Sequence, residues 1–522
     1  MCGCDAIEAD YSRRVSLEHR KKFAQFFTPF SIAELMVKWL LGNENLQTVL
    51  EPAFGLGVFS RALLPQKNDV RIKGFEIDSL IFEHAKNEFA GTGKVDLLLA
   101  DYMSNDWPNK YDGIICNPPY FKFHDYDNKS ILKEIETKFK GKFSGSTNLY
   151  TLFLLKSIYQ LNPNGRCAYI IPSEFLNSDY GKLIKMNLLK TGTLRHIIVF
   201  DFEENVFADA LTTASIILCA NDGKTDKVQF TNIQTSNELS IIEKLMATDH
   251  QQPAIKTYSF SELDPEIKWK TYYQPQNGHK FKNLVPFSTY AKAVRGMATG
   301  ANDYFSFNLS KARKYNIDEH YLLPCVCHSI DVPGNFFTKS DYEELKRKDK
   351  NVFLLNAMNS CDENVTKYLI KGEHEGINKK FLTSHRNPWY SLEKRPPAPI
   401  WVSVFNRSGL RFVSNEAKVA NLTTFHCIYP KKDLLSDFPI DLLLAYLLTD
   451  TARQIFEDNS REYGNGLQKF EPNDLNTGKM LDLMMLSTYA KREIGNLYRR
   501  NLSRNDGRLI GEIDAILLEN CV

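Results

Sequence analysis

The chain has 522 residues, 43% of them hydrophobic and 25% charged, with a net charge of +2 and ten scattered cysteines. Its length allows about two to four domains, and its composition is that of a folded protein rather than a disordered one. It has no disulfide framework, no CxxC pair with zinc spacing, no ~20-residue apolar run and no signal peptide, so we expect a cytoplasmic protein without a metal site or a membrane segment.

Seven short apolar runs lie between residue 48 and about residue 220: TVLEPAF, RIKGFEID, VDLLLAD, YDGIICN, GRCAYIIP, LRHIIVFDF and TASIILCAN. Between them, SLIFEHAKNEF and NLYTLFLLKSIYQL have helical periodicity. Near-continuous apolar strands that alternate with helices are typical of a sheet covered on both faces. The pattern predicts an α/β fold with a mostly parallel sheet of seven strands.

The alternation ends after about residue 255, and ATDHQQPAIKT is typical of a polar linker. We therefore predict two domains, residues 1–260 and residues 261–522. The second domain is expected to be mixed α+β, with helices at IDLLLAYLLTDTARQIFE and in a tail from about Asn476.

The net charge conceals an asymmetry along the chain. Residues 266–432 contain 26 Lys and Arg against 15 Asp and Glu, which leaves 39 against 48 in the rest. Lys and Arg displace counterions from phosphates, so a basic segment favours a nucleic-acid partner. A solvated basic surface is the alternative.

The first strand is followed by LEPAFGLG. Gly55 and Gly57 allow a tight turn and a close approach of the backbone to a ligand, and Glu51 supplies a carboxylate. The third glycine of a dinucleotide fingerprint and the GK(S/T) of a phosphate loop are both missing. A ligand without a pyrophosphate fits this turn better.

Carboxylates also follow the second and third strands. Glu76 lies about 20 residues after the glycine turn, a spacing suited to ribose hydroxyls. Asp101 precedes Tyr102, and a carboxylate beside an aromatic ring can hold an adenine. In an open α/β sheet these strand ends form the ligand crevice.

The fourth strand ends in IICNPPYF. Pro118 and Pro119 cannot donate ladder hydrogen bonds, and Asn117 before them is kept out of helical angles. An amide side chain and a carbonyl are thus held rigidly at the tip of the sheet. Such a place can hold a flat group that donates hydrogen bonds.

These four strand ends, together with QFFTP at 25–29, resemble the S-adenosylmethionine-dependent DNA adenine-N6 methyltransferases of the gamma motif order, the group typified by the Taq I methyltransferase. The resemblance is continuous over residues 23 to about 220. It implies a Rossmann-like class I methyltransferase domain and S-adenosyl-L-methionine as cofactor. The cofactor residues that it implies are Thr28, Glu51, Ala53, Gly55, Glu76, Ile77, Asp101, Tyr102, Asn117 and Pro119. Members of the family often have Phe where Tyr102 stands, and a Tyr ring can still stack.

The resemblance implies Asn117, Pro118, Pro119 and Tyr120 as the catalytic residues. Asn117 Oδ1 and the Pro118 carbonyl would accept hydrogen bonds from the amino group of a flipped-out adenine, and Tyr120 would stack on the base. Phe207 would close the opposite face of the base, unless it is an ordinary core aromatic.

The C-terminal half resembles the recognition regions of the family more loosely, through RGMATGANDYF and YGNGLQKFEPNDL. Arg suits guanine edges, Asn suits adenine edges, and phosphate contacts outnumber base contacts. The candidates for phosphate or base contacts are Arg295, Thr299, Asn302, Arg386, Trp389, Arg407 and Lys469. The resemblance further implies double-stranded DNA as partner, a separately encoded restriction endonuclease, and a prokaryotic source. We expect a monomer.

Two other readings stay open from the sequence. NPPY also occurs in methyltransferases that act on RNA bases or on protein glutamine, although these do not need a large basic recognition half. The chain could also be a DNA-binding module with an inactive catalytic domain, against which the intact Gly55, Asp101 and Asn117 argue.

Overall fold

A computed structural model of the protein describes residues 6–121, 129–139, 147–200, 213–233, 255–357, 362–406, 409–431, 440–463, 467–504 and 507–521. The chain divides into two compact units. The first unit is Met1–Pro275 with Arg461–Gly466, and the second is Gln276–Ser460 with Leu467–Val522. None of the described helices is both long and apolar enough to cross a membrane.

The first unit is built on one sheet of nine strands. These are β1 (Thr48–Glu51), β2 (Arg71–Glu76), β3 (Val95–Leu99), β4 (Tyr111–Cys116), β5 (Leu161–Pro172), β6 (Leu194–Phe200), β7 (Ala214–Ala220), β8 (Lys227–Ile233) and β9 (Ile255–Ser259). Their order across the sheet is β3-β2-β1-β4-β5-β7-β6-β8-β9. The predicted α/β class is confirmed, and all seven predicted strands are present.

The predicted strand number is wrong, because β8 and β9 extend the sheet beyond the seventh predicted strand. The sheet is also mixed. The four pairings among β1 to β5 are parallel, whereas β7 runs antiparallel to both β5 and β6, and β9 antiparallel to β8. The missed strands KVQFTNI and IKTYS carry polar residues among their apolar ones, and the segment ATDHQQPAIKT, which is typical of a linker, contains the start of β9.

Helices cover both faces of this sheet. They are Ala6–Arg14, Leu17–Lys22, Phe30–Leu41, Val58–Leu63, Ser79–Phe89, Lys129–Phe139, Leu149–Tyr159, Glu174–Asn177, Gly181–Thr191 and Lys270–Tyr273. Alternate residues of β5 enter the two cores: Tyr169 joins the cluster with Leu149–Tyr159, and Ile170 joins the cluster with Phe30–Leu41. The edge strand β3 departs from the expected burial, since Leu98 and Leu99 are 37% and 50% exposed.

The first unit extends to Pro275, fifteen residues past the predicted boundary at 260. Trp269 is fully buried and packs its ring edge-on to Phe230 of β8, with 5.7 Å between centroids. Its backbone N–H donates to the Leu176 carbonyl at 3.0 Å. The proline- and aromatic-rich segment after residue 260 therefore completes the first core.

The second unit contains helices and mostly antiparallel strands. Its helices are Asn302–Phe305, Leu309–Lys314, Lys339–Arg347, Glu363–His374, Phe381–Ser384, Ile440–Leu447, Asp450–Glu457, Pro472–Thr477, Thr488–Arg504 and Gly507–Cys521. Its largest sheet orders the strands Ala291–Arg295, Phe425–Pro430, Ile400–Ser403, Phe412–Asn415 and Phe336–Phe337. Its other strands are Leu284–Pro286, Ser306–Phe307, Leu322–Val326, Phe353–Leu355, Phe405–Asn406, Ala420–Asn421, Leu467–Lys469 and Lys479–Leu481. Arg461–Tyr463 is a strand in the part of the chain that belongs to the first unit.

We predict that Gly57→Ala destabilises the first unit. Gly57 has φ +72°, and an added Cβ would lie 2.5 Å from Phe89 Cε2 and 2.6 Å from Phe54 Cε1. The left-handed backbone and the overlap together cost about 2–4 kcal/mol. Chemical denaturation monitored by circular dichroism measures the loss. Gly91→Ala is the matched control, since its Cβ would meet no atom within 4 Å; an equal loss in both variants would contradict the steric explanation.

Candidate active site

A cleft opens in the first unit at the carboxyl ends of β1 to β4. All ten residues predicted to bind a cofactor line it: Thr28, Glu51, Ala53, Gly55, Glu76, Ile77, Asp101, Tyr102, Asn117 and Pro119. Because parallel strands end at the same edge of the sheet, the residues from Glu51 to Pro119 that end or follow β1 to β4 meet at this cleft. The structure brings these residues together, and their individual roles stay predictions.

The turn after β1 is fastened to the end of β2. Gly55 has φ +54°, and its N–H donates to Glu76 Oε2 at 2.9 Å. Glu76 Oε1 accepts from the N–H groups of Ile77 and Asp78, at 2.8 and 2.9 Å. Burial raises the pKa of Glu76 against the lowering effect of these hydrogen bonds. Three backbone donors thus fix the carboxylate and leave lone-pair capacity for ligand hydroxyls.

Glu51 is a buried carboxylate that is only half satisfied. It is 1% exposed, and its Oε2 accepts from Ser60 Oγ at 2.6 Å. Its other oxygen, Oε1, has no hydrogen-bond partner among the described residues. Burial raises the pKa of Glu51 to about 8, although Ser60 and Arg61 oppose the shift. An acceptor in this state is suited to a donor or a cation that a ligand brings.

Asp101 holds the turn that follows β3. Its Oδ1 accepts from Met103 N–H at 2.9 Å and its Oδ2 from Ser104 Oγ at 3.0 Å. Next to it, Tyr102 is 1% exposed and donates its hydroxyl to Gln160 Oε1 at 2.6 Å. The hydroxyl of Tyr102 therefore points into the core while the residue contributes to the cleft wall. That its ring stacks on an adenine stays a prediction.

The side-chain amide of Asn117 is held in one orientation. Its Nδ2 donates to the Phe26 carbonyl at 2.7 Å and to Thr28 Oγ1 at 3.0 Å. A carbonyl can only accept, so the amide nitrogen must face Phe26 and the oxygen must face the other way. Asn117 Oδ1 then accepts from the Tyr120 hydroxyl at 2.8 Å, which leaves its second lone pair for another donor.

Tyr120 stacks on Phe26, with 5.6 Å between the ring centroids and 16° between their planes. The segment QFFTP, which the sequence linked to this site only through the resemblance, therefore contacts both Asn117 and Tyr120. Stacking of Tyr120 on a target base stays a prediction. Phe207, predicted for the opposite wall, lies outside the described residues.

Sequence reasoning missed Glu8, which also lines the cleft. Glu8 lies in the helix Ala6–Arg14 and is 7% exposed, and the neighbouring buried residue of that helix is Tyr11. A helical pattern of apolar residues would not have selected Glu8, because it is a charged residue whose burial depends on its contact with Arg61. The helix also precedes every motif of the family, so no motif pointed to it.

Several predicted DNA contacts of the second unit are engaged within the protein. Arg295, 61% exposed at its side chain, donates to Glu471 Oε2 at 3.0 Å, and Lys469 Nζ lies 2.7 Å from Glu471 Oε1. Burial alone would raise the pKa of Glu471, but Lys469 and Arg295 lower it to about 2. This cluster of two cations and one carboxylate keeps one net positive charge.

The other candidates lie in two groups. Arg386 donates to the carbonyls of Ala298 and Thr299, and Thr299 is 1% exposed with its hydroxyl 2.5 Å from Asn302 Oδ1. Arg386 and Thr299 therefore support the loop that presents the exposed Asn302. Trp389 donates its indole N–H to Glu373 Oε1 at 3.1 Å and packs against Tyr304. Arg407 lies outside the described residues.

Comparisons with known proteins match both halves of the chain. The family model for the Eco57I restriction-modification methylase matches residues 53–207. The family model for the C-terminal domain of type II methyltransferase M.Eco57I matches residues 276–511, and this match begins at the first residue of the second compact unit.

The similarity to individual proteins covers most of the chain. Type II methyltransferase M.AccI of Acinetobacter calcoaceticus is 66% identical, with 99% of this chain and 96% of that protein covered. Type II methyltransferase M.HincII of Haemophilus influenzae is 25% identical, with 78% and 74% covered. A solved structure of a nuclease-deletion mutant of the type ISP restriction-modification enzyme LlaGI, bound to a DNA substrate mimic, has a similar fold (TM-score 0.56, 13% identity, 95% of this chain and 56% of that chain).

The cleft brings together the residues that the methyltransferase motifs identify, and the likeness to M.AccI runs through both units. The chain therefore belongs to the type II methyltransferases of restriction-modification systems, and its cofactor is S-adenosylmethionine.

Proposed function

We propose that the protein is a site-specific DNA methyltransferase that modifies the N6 amino group of adenine in double-stranded DNA. The observation that carries this proposal is the fixed amide of Asn117, whose oxygen is an acceptor in the cofactor cleft. An exocyclic amino group has two N–H bonds, and Asn117 Oδ1 and the Pro118 carbonyl are the two acceptors proposed for it.

The residues of the cleft fit the cofactor. An added Cβ at Gly55 would meet no atom within 4 Å, so the backbone leaves open space beside the turn. The unpartnered oxygen of Glu51 suits a cationic or donating group. Glu76 is proposed to accept from the ribose hydroxyls, and Asp101 and Tyr102 to hold the adenine. When bound, S-adenosylmethionine supplies an electrophilic methyl group on its sulfonium.

The protein's part in the reaction is mainly positioning. The lone pair of adenine N6 is delocalised into the ring, which makes the amine a poor nucleophile. Two acceptors on its N–H bonds favour a pyramidal nitrogen and direct the lone pair to the methyl group, and holding the reacting atoms in line supplies the proximity effect. The proton can leave after the transfer, so no strong base is required beforehand.

Access to the base requires that it leave the helix, at a cost of a few kcal/mol. Stacking on an aromatic ring returns about 1–3 kcal/mol, and Tyr120 is proposed for this role. Phe207 is proposed for the other face. The second unit is proposed to read the DNA sequence, with Asn302 and the cluster of Arg295, Glu471 and Lys469 among its contacts.

We further propose that a separately encoded restriction endonuclease recognises the same DNA sequence. The protein is proposed to act as a monomer in the prokaryotic cytoplasm. Methylation of RNA bases or of protein glutamine, and an inactive DNA-binding module, are not favoured by the type II relatives.

We predict that Asn117→Ala lowers methyl transfer to DNA by about 100-fold or more, because one of the two acceptors is lost. Binding of S-adenosylmethionine should change by no more than a few-fold, since nine other predicted residues still line the cleft. Transfer of a labelled methyl group and calorimetric titration measure the two effects. Loss of cofactor binding together with transfer would contradict the role given to Asn117.

Modification-sensitive sequencing of DNA from a host that expresses the protein should show N6-methyladenine at one short sequence. A host expressing Asn117→Ala is the matched control and should show none. Methylation of cytosine, or of adenines without a common sequence, would contradict the proposed specificity.

We predict that Glu51 makes the stability of the ligand-free protein depend on pH. The ordinary pKa of a Glu is 4.5 and that of Glu51 is about 8, so between these values the folded state binds more protons than the unfolded state. The free energy of unfolding should therefore fall as pH rises from about 4.5 to 8, by up to about 1.4 kcal/mol per pH unit. Glu51→Gln should remove this contribution and be the more stable form at pH 8.

Denaturant titrations at pH 5, 6.5 and 8 measure the difference between the two proteins. Glu44→Gln, at an exposed position, is the matched control and should follow the wild-type pH dependence. A constant difference between wild type and Glu51→Gln across this range would contradict the prediction.

We predict that Arg295→Gln weakens DNA binding and lowers the slope of log affinity against log salt concentration by about 1, as expected for one lost phosphate contact. Titration of labelled DNA at several salt concentrations measures the slope. Arg313→Gln, an exposed arginine outside the predicted set, is the control. An unchanged slope in Arg295→Gln with unchanged affinity would remove Arg295 from the proposed contacts.

A further inference from the structure

Glu8 stands upstream of every methyltransferase motif and yet lines the cofactor cleft. We propose that Glu8 is a cofactor-binding residue, and that it joins Glu51 in facing the ammonium group at the amino-acid end of S-adenosylmethionine. The inference rests on the cofactor and on the proposed placement of its adenosine part at Glu76, Asp101 and Tyr102. It does not depend on which base is methylated.

Glu8 and Glu51 share the same unusual state. Glu8 is 7% exposed, and its Oε1 accepts from Arg61 Nη2. Its Oε2 is buried and has no hydrogen-bond partner in the described part of the chain, like Oε1 of Glu51. A buried carboxylate oxygen without a partner is costly unless a ligand or a counter-charge satisfies it. Both residues line the same cleft, and one ligand group is proposed to satisfy both oxygens.

One short helix holds both carboxylates. Ser60 and Arg61 are consecutive residues of the helix Val58–Leu63, which begins directly after Gly57. Ser60 donates to Glu51 and Arg61 donates to Glu8, so each carboxylate has one oxygen fixed by this helix. The helix that follows the glycine turn thereby contacts both acids.

The cleft is lined by acidic groups, which favour a cationic ligand group, and such a group would also favour the ionised form of Glu51. Its described lining residues include Glu8, Glu51, Glu76 and Asp101 but no Lys, Arg or His. Arg61 is not among the lining residues, and it donates to Glu8 and, at 2.6 Å, to the Leu56 carbonyl. S-adenosylmethionine carries an ammonium and a sulfonium against one carboxylate, so its net charge is positive.

The helix that carries Glu8 is anchored independently of any ligand. Tyr11, one turn after Glu8, packs edge-on to Phe27 and His84, with centroids 5.7 and 5.5 Å away. Beyond the helix, Asp78 Oδ2 accepts from Gln25 Nε2 at 2.6 Å and lies 2.8 Å from His19 Nε2. These contacts place Glu8 at the cleft, and they provide a framework that Glu8→Gln leaves unchanged.

Three ligands separate a binding role from a purely structural one. S-adenosylmethionine and S-adenosylhomocysteine both carry the amino-acid end, whereas 5′-methylthioadenosine has the same adenosine without it. We expect Glu8→Gln to weaken binding of the first two by about tenfold and that of 5′-methylthioadenosine by less than twofold. Calorimetric titration of the full chain without DNA measures all three, so the result is independent of the proposed base specificity.

Asp10→Asn is the matched control, because Asp10 lies on the same helix but pairs with Arg13 and Arg14 at the surface. It should bind all three ligands as the wild type does. Equal weakening of the three ligands by Glu8→Gln would show that Glu8 only fastens the helix, and unchanged binding of S-adenosylmethionine would exclude a role in the site. Either result would overturn the proposal.

Should Glu8→Gln fail to fold, Glu8→Asp keeps the charge and withdraws the carboxylate by one methylene. In this variant, binding of S-adenosylmethionine and S-adenosylhomocysteine should weaken several-fold more than binding of 5′-methylthioadenosine. Equal losses for the three ligands would overturn the proposal in this variant as well.

Discussion

The fixed amide at the end of β4 is the constraint around which the catalytic cleft is arranged. Two prolines end the strand, and the amide nitrogen of Asn117 then bonds the Phe26 carbonyl and Thr28. These bonds tie a segment 91 residues earlier in the chain to the carboxyl edge of the sheet. They also decide which amide atom faces Tyr120, because a carbonyl cannot donate. An acceptor whose direction is fixed by the protein needs no reorganisation when a donor approaches it, as the proposed role of Asn117 requires.

The acids of the cleft are held in a different way from this amide. Glu76 is satisfied by three backbone N–H groups, whereas Glu51 and Glu8 each keep one buried oxygen without a partner among the described residues. The first arrangement fixes a hydrogen-bond acceptor at low cost. The second stores unfavourable desolvation that a cationic ligand relieves on binding.

The positive charge of the second unit is less available than its composition suggests. Glu471 neutralises one of the two cations Arg295 and Lys469, and Arg386 donates to backbone carbonyls of the loop before Asn302. Such groups position other residues as much as they attract phosphates. Exposure and pairing, rather than the count of Lys and Arg, therefore identify the groups best placed to contact DNA.

The sequence by itself determined the α/β class, the seven strands of the nucleotide-binding half and the polar strand ends at Gly55, Glu76, Asp101 and Asn117, and its resemblance to a methyltransferase family supplied the rest of the ten residues that share the cleft. Strand periodicity and the turn chemistry of Gly and Pro are local, and parallel strands bring their ends to one edge. Only the tertiary structure decided the two added strands and the mixed pairing, the direction of the Tyr102 hydroxyl, and the arrival of Glu8. Each of these depends on which distant segments pack together: Trp269 against β8, Gln160 beside Tyr102, and Arg61 beside Glu8. No local pattern of residues records such contacts.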